Sequence, residues 1–307
     1  MTGRRIIIDT DPGQDDALAI FLALASPEVE VESVVTVAGN VPQPLVTTNA
    51  LRLLELADRT DVPVYRGADL PLIRRQYTAE YVHGDTGIDG VDLPPPVTTA
   101  RIRHGVAHIV DTCLDADDAS VTLCPIGPLT NIALAIATDR RIVPKIREIV
   151  WMGGALDEPP NTQGVAEFNA YVDPHAVAIV LASGAPITMF PLDVTHKAIL
   201  EDRWLDTIRK VDRPVANACV GMSEFYARHD EDSYGFSGAV MHDPCVIAYL
   251  VDPTLFTGRR TTVSVEIADP TTQGRTYEDP DGADVSVMLD TDVERLMELF
   301  VTRWMSL

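Results

Sequence analysis

Ile6-Ile7-Ile8-Asp9-Thr10-Asp11-Pro12-Gly13-Gln14-Asp15-Asp16 begins with three β-branched apolar residues and ends at the start of a helical pattern. The isoleucines read as a buried strand. Pro12-Gly13 forces a turn. From Asp15 onward, Leu18, Phe21, Leu22 and Ala25 recur on one helical face. The unit is strand, turn, helix, with four carboxylates at the junction. Asp9 and Asp11 are two apart and tend to point the same way. Asp15 and Asp16 open the helix, where the macrodipole favours negative charge.

The same alternation continues outward. Strands are predicted at 29–38, 62–65, 121–126, 149–152 and 187–192, and helices at 45–56, 106–114, 129–137 and 174–182. Repeated strand–helix units imply an α/β fold: an open, mainly parallel twisted sheet flanked by helices, of Rossmann-like type. After about residue 195 helices are expected near 201–210, 214–228 and 242–250. Strands at 262–268 and 283–289 and a C-terminal helix follow. No linker separates the halves, so residues 1–307 are read as one domain. Residues 67–104 carry no clear periodicity, and Leu93-Pro94-Pro95-Pro96 breaks any helix there. Such a stretch inside a compact domain is usually functional or mobile.

The chain has 46 acidic residues against 24 Lys plus Arg, a formal net charge of −22. That balance repels phosphate backbones and anionic membrane surfaces, so neither nucleic acid nor a membrane is an expected partner. Cys113, Cys124, Cys219 and Cys245 match no zinc or redox spacing and read as reduced, buried thiols. The apolar run after Met1-Thr2-Gly3-Arg4-Arg5 is too short for a signal peptide, and no stretch is long enough to span a bilayer. A cytoplasmic location is expected.

Two carboxylates 4–5 Å apart repel by about 3–4 kcal/mol at an effective dielectric near 20. Protons or a cation must offset that, and hard oxygen ligands suit Ca²⁺ or Mg²⁺. The junction also lies at the carboxyl end of a strand, where open α/β sheets place ligands. Asn40 follows the second strand. Asn161, Glu167 and Asn169 follow Trp151-Met152-Gly153-Gly154, and His242-Asp243 lies far downstream. Amides and acids converging on a metal suit a polyhydroxylated ligand such as a sugar. A phosphorylated substrate would want Lys, Arg or a phosphate loop, and the chain has only Lys145, Lys197 and Lys210. Trp151 and Trp204 read as packing residues.

Asp9 to Ala17 resembles the N-terminal signature of the inosine–uridine nucleoside hydrolase family. Further blocks agree in order: Ala38-Gly39-Asn40, His83-Gly84 with Gly87, Ile126 to Asn131, Glu167-Phe168-Asn169 with Asp173-Pro174, and His242-Asp243. The resemblance implies Ca²⁺-dependent hydrolysis of the N-glycosidic bond of ribonucleosides, giving ribose and free base. It implies that Asp11, Asp16, Asp243 and the main-chain carbonyl of Ile126 hold the calcium. Asp11 would also take the proton of the attacking water. Asp15, Asn40 and Asn169 would hold the ribose diol, and Asn161 and Glu167 the 5′-hydroxyl. His242 would protonate or hydrogen-bond the departing base, with His83 and Tyr226 beside it. Asp9 would support the loop.

Two departures stand out. Asp157-Glu158-Pro159-Pro160 precedes Asn161 where a Gly is common, and Asp230 stands where a second aromatic is usual, with His229 and Tyr234 nearby to substitute. His83 in place of Trp points away from the purine-specific branch. The resemblance further suggests a homo-tetramer or homo-dimer. A metal-dependent phosphatase and a nucleoside-binding protein without turnover are the rival readings.

Overall fold

The computed structural model describes residues 3–307; Met1 and Thr2, part of the N-terminal segment read above, lie outside them. β1 (Arg4–Thr10) runs into the Pro12-Gly13 turn and α1 (Gln14–Leu24). Then come β2 (Val29–Thr36), α2 (Gln43–Leu56) and β3 (Val64–Arg66). The short α3 (Glu80–His83) interrupts the aperiodic stretch. α4 (Gly105–Asp115), β4 (Val121–Pro125), α5 (Thr130–Thr138) and β5 (Ile146–Met152) restore the alternation. α6 (Phe168–Val172), α7 (Pro174–Leu181), β6 (Ile187–Phe190) and α8 (Leu192–Thr195) follow. β7 (Ile199–Glu201), α9 (Asp202–Ile208), α10 (Pro214–Tyr234), β8 (Gly238–Val240) and α11 (His242–Val251) form the next section. The chain ends with β9 (Phe256–Val265), β10 (Thr276–Glu278), β11 (Ala283–Thr291) and α12 (Val293–Ser306).

Nine strands form one sheet in the order β10-β9-β11-β6-β5-β4-β1-β2-β3, and β7 pairs with β8 separately. Every pairing from β11 to β3 is parallel; β9 and β10 join antiparallel. The expected α/β architecture is therefore present. From β1 the chain moves one way through β2 and β3, then crosses to β4 on the other side of β1. That reversal opens a crevice beyond the carboxyl ends of β1 and β4, where α/β sheets bind ligands.

The opening isoleucines show why a continuous apolar run can be a strand. Ile6 and Ile8 pack into the core under α1, α2, α10, α11 and α12, while Ile7 faces the opposite core under α4, α5 and α7. The period-2 alternation of side chains fills both layers. All four cysteines are free and buried, as expected. Trp151 is buried and Trp204 packs at the core edge, so both serve packing.

α12 is locked by Trp304, which is fully buried, stacks on Phe300 at 5.2 Å and donates its indole N–H to the Leu18 carbonyl at 3.0 Å. Trp304→Ala should lower unfolding free energy by about 3–5 kcal/mol. A urea midpoint that barely moves would show that α12 does not anchor α1.

Several boundaries differ from expectation. β9 starts at Phe256 rather than 262, because it pairs along the length of β11. α10 continues past 228 to Tyr234 and ends on Gly235, whose φ of 70° stops the helix. The strand expected to run to 192 ends at Phe190, since Leu192 begins α8. No described helix is long and apolar enough to cross a membrane.

Candidate active site

The β1–α1 junction builds one wall of the crevice. Asp16, in the first turn of α1, accepts from the Gly13 N–H (2.9 Å), the Asp11 N–H (3.3 Å) and the Thr10 hydroxyl. These bonds fold the turn back over the helix start. Asn40, just beyond β2, closes the loop from the other side. Its main-chain N–H donates to Asp11 Oδ2 (2.7 Å), and its amide donates to the Asp11 carbonyl (3.1 Å) and Asp16 Oδ2 (3.2 Å). A Cβ at Gly39 would sit 1.9 Å from Asp11 Oδ2, and one at Gly127 would sit 2.3 Å from Asp11 Oδ1. The Ala38-Gly39-Asn40 and Ile126-Gly127 blocks thus leave the Asp11 carboxylate its room.

Asp243, in the first turn of α11, reaches the same point. Asp15, Asp16 and Asp243 each offer an oxygen within 4.8 Å of the others. The converging group therefore contains Asp15 rather than Asp11, whose main-chain N–H donates to Asp16 beside it. All four carboxylates are buried. Burial pushes their pKa values up, and repulsion among them adds to this at Asp11, Asp15 and Asp243. At Asp16 burial again raises it, while bonds from Thr10 and Gly13 oppose the rise. No Lys or Arg lines the described pocket. Asp11 Oδ1 is buried with no hydrogen-bond donor. An orphaned carboxylate oxygen beside three more acids fits a hard divalent cation.

Asp9 points away from this cluster. Its Oδ2 accepts from Asn131 (2.8 Å), whose amide also donates to the Thr36 carbonyl and accepts from the Ala68 N–H. Burial pushes the Asp9 pKa up to about 8. Asn131 thus ties β1, β2 and the following loop beneath the site.

The β5 side supplies the opposite wall. Asn169 donates to the main-chain carbonyls of Ile126 (3.0 Å) and Met152 (3.1 Å). Glu167 caps α6 by accepting from Asn169 and Ala170, and also takes the Gly154 N–H. Burial lifts its pKa to about 7, against those three donors. Asn161 lines the pocket near the rim, where its carbonyl accepts from the Tyr234 hydroxyl (3.4 Å).

Rings form the far end. His83 is held by Gln14, whose Oε1 accepts from Nδ1 (2.5 Å) and whose amide donates to the His83 and Asp89 carbonyls. Tyr226 stacks on His83 at 5.5 Å. Burial drives the His83 pKa down to about 3 and that of His242 well below its ordinary value. His242 Nδ1 meets the Thr195 hydroxyl at 2.7 Å. Asp230 is turned to structure: it is buried, accepts from the Val240 N–H (2.9 Å) and holds α10 against β8. Tyr234 and Phe236 stack at 5.6 Å, and His229 packs edge-on to Tyr234 at 6.1 Å, so rings stand near the position vacated by Asp230.

Of the catalytic, sugar-binding and metal residues expected from the sequence, all but Asp11 line one pocket, and Asp11 is hydrogen-bonded to Asp16 and Asn40 of its lining. The sequence reading missed Gln14, Asn131, Thr195, His196 and Phe236. Gln14 and Asn131 lay within quoted blocks, but nothing in their spacing marked them as clamps.

Comparison with known proteins points to one family. The family model for inosine-uridine preferring nucleoside hydrolases matches residues 6–298. A pyrimidine-specific ribonucleoside hydrolase RihA of Photobacterium profundum is 43% identical over 306 residues, covering 98% of each chain. A protein of the same name from Klebsiella pneumoniae is 41% identical over 97% of each. Among solved structures, a plant nucleoside hydrolase superposes with a TM-score of 0.93 at 31% identity, over 99% of both chains. A purine-preferring ribonucleoside hydrolase from Gardnerella vaginalis gives 0.93 at 32%, over 98% of both. The chain belongs to the inosine-uridine preferring nucleoside hydrolase family and is a hydrolase of N-glycosyl bonds.

Proposed function

We infer that this chain hydrolyses ribonucleosides to ribose and free base with a bound Ca²⁺. The observation that carries the reading is the convergence of buried Asp15, Asp16 and Asp243, with no Lys or Arg among the pocket residues and an orphaned oxygen on the adjacent buried Asp11. Asp11, Asp16, Asp243 and the Ile126 carbonyl would hold the ion. When bound, calcium would offset the crowded negative charge, orient the sugar hydroxyls and make water more acidic.

The remaining tasks fall to the chain itself. Asp11 accepts the proton of the attacking water, its position fixed by the Asn40 N–H. Asp15, Asn40 and Asn169 bind the ribose 2′- and 3′-hydroxyls, while Asn161 and Glu167 bind the 5′-hydroxyl. The buried acids stabilise positive charge developing on the sugar ring in an oxocarbenium-like transition state. His83 and Tyr226 pack along the base. His242 hydrogen-bonds the departing base; burial favours its neutral ring.

A metal-dependent phosphatase would need a cationic group at the phosphate, which the described pocket lacks. We treat residues 1–307 as one domain working in the cytoplasm as a homo-tetramer or homo-dimer. Pyrimidine ribonucleosides are the first substrates to test, given the names of the bacterial relatives.

The test is a panel of uridine, cytidine, inosine and adenosine, with p-nitrophenyl phosphate as the phosphatase probe. Reducing sugar should appear with at least one nucleoside, and no phosphate should be released. Phosphate release alone would sink the reading. Tight nucleoside binding without sugar release would favour a non-catalytic binding protein.

A further inference from the structure

The 155–161 loop after β5 has no helix or strand of its own, yet it carries a residue of the pocket wall, Asn161. Its course is fixed from outside. The Ala155 N–H donates to the Thr276 hydroxyl of β10 (2.9 Å), which donates back to the Ala155 carbonyl (2.8 Å). Asp193, in α8, then accepts three successive main-chain N–H groups. Its Oδ2 takes Leu156 (2.9 Å), and its Oδ1 takes Asp157 (2.7 Å) and Glu158 (3.2 Å). α8 is held to the same loop, because the Leu192 N–H donates to the Gly154 carbonyl (3.0 Å). The Glu158 side chain adds a further tie, its Oε1 lying 3.0 Å from Nδ1 of His196.

Pro159-Pro160 follow directly. Each ring restricts its own φ to about −65° and keeps the residue before it extended. Beyond them Thr162 is buried and pairs with Ala166 in an isolated antiparallel bridge. Asn161 therefore sits between two fixed points, with only two stiff residues separating it from the Asp193 clamp. Main-chain N–H groups on a carboxylate make stronger bonds than neutral pairs. Asp193 is not among the residues lining the pocket, so its three bonds serve the loop.

Resting on the nucleoside hydrolase reading above, in which Asn161 binds the 5′-hydroxyl, we propose that Asp193 is the positioning residue for recognition of that hydroxyl. It sets the start of the Pro159-Pro160 segment and so the place at which Asn161 meets the pocket. The same short helix carries Thr195, whose hydroxyl lies 2.7 Å from His242 Nδ1. The 5′-hydroxyl side and the leaving-group side are thus tied to α8 through different residues. Loss of the Asp193 carboxylate alters the response to the 5′-hydroxyl and spares the response to the leaving group, whereas general disruption of α8 alters both.

The experiment compares wild type, Asp193→Asn, Asn161→Ala and their combination on uridine, 5′-deoxyuridine and p-nitrophenyl riboside. The amide of Asp193→Asn keeps one acceptor oxygen and turns an NH₂ group toward an N–H that the carboxylate accepted. It should lower kcat/KM for uridine about tenfold and for 5′-deoxyuridine less than about twofold, the mark of one lost hydrogen bond to substrate. The ratio of p-nitrophenyl riboside to uridine should stay within about twofold of wild type. Asn161→Ala should erase the same 5′-hydroxyl preference, and the combined variant should lose no more, because the two residues act in series. Pro159→Gly with Pro160→Gly is the second variant, deciding the matter where Asp193→Asn does not fold. It keeps every Asp193 bond, frees the segment beyond, and should narrow the preference at least about threefold. A preference unchanged in these variants, or absent from a wild type that releases ribose, would overturn the positioning role alone. A shifted p-nitrophenyl riboside ratio in Asp193→Asn would overturn it too, since α8 as a whole would then be at fault. A wild type that cleaves none of the three substrates would overturn both the positioning role and the hydrolase reading.

Discussion

Asp11→Asn is expected to lower kcat/KM for ribonucleosides by at least about 10³-fold while making the metal-free protein more stable. The activity loss follows from removing the general base, a contribution of about 10²–10⁴ by itself, together with one calcium ligand. The stability gain follows from burial. The wild-type carboxylate is buried, repelled by Asp15 and Asp16, and has one oxygen without a donor. A neutral amide of the same shape keeps an oxygen for the Asn40 N–H and removes one charge from the cluster. Relief of an uncompensated buried charge is worth about 1–4 kcal/mol. Kinetics and chelated thermal denaturation check both halves. A variant that is inactive and equally destabilised would mean that Asp11 serves folding rather than chemistry. A variant with near wild-type turnover would remove Asp11 from the mechanism.

Calcium should raise the melting temperature of chelator-stripped protein, and Asp243→Asn should abolish most of that rise. An ion at one hundred times its Kd adds about 2.7 kcal/mol to the native state, or about 5 °C in a chain of this size. Asp243 is the test residue because it joins the cluster from α11, more than two hundred residues from Asp16. Asp243→Asn removes one charge from the cluster while every residue of the β1–α1 junction is kept. Magnesium is the control, since its small octahedral shell fits a crowded acid set poorly. A melting temperature insensitive to calcium would contradict the metal assignment whatever the activity.

The strand–helix alternation was legible because β1, β4 and the second halves of β2 and β5 are largely apolar and buried, and burial on both faces demands such runs. β7, β8 and β10 were not legible: each has only three residues, too few to display a period, and unlike β3 none sits in the regular strand–helix alternation. The 67–104 stretch read correctly as aperiodic. It carries His83 on a four-residue helix, positioned by a hydrogen bond from Gln14 rather than by any local pattern. The acidic run was visible because four carboxylates in eight residues are costly without a purpose. Asp230 looked like a missing ring, but its role as a strap to β8 depends on a partner ten residues later. The pairing of Glu158 with His196 was invisible for the same reason. It is made by the topology that brings the loop after β5 against the end of α8.

Asp9 shows how the site and its support divide. It lies two residues from Asp11, yet its carboxylate turns to Asn131 and the strands beneath. The strand carries one acid into the pocket and the other into the frame that holds the pocket open.

The most direct measurement is ribose release from the preferred nucleoside by protein stripped with chelator and then reloaded with calcium. Activity that disappears on stripping and returns on reloading, in wild type but not in Asp11→Asn, is the predicted result. Undiminished ribose release from fully stripped protein would contradict the claim that these acids work by holding a divalent ion.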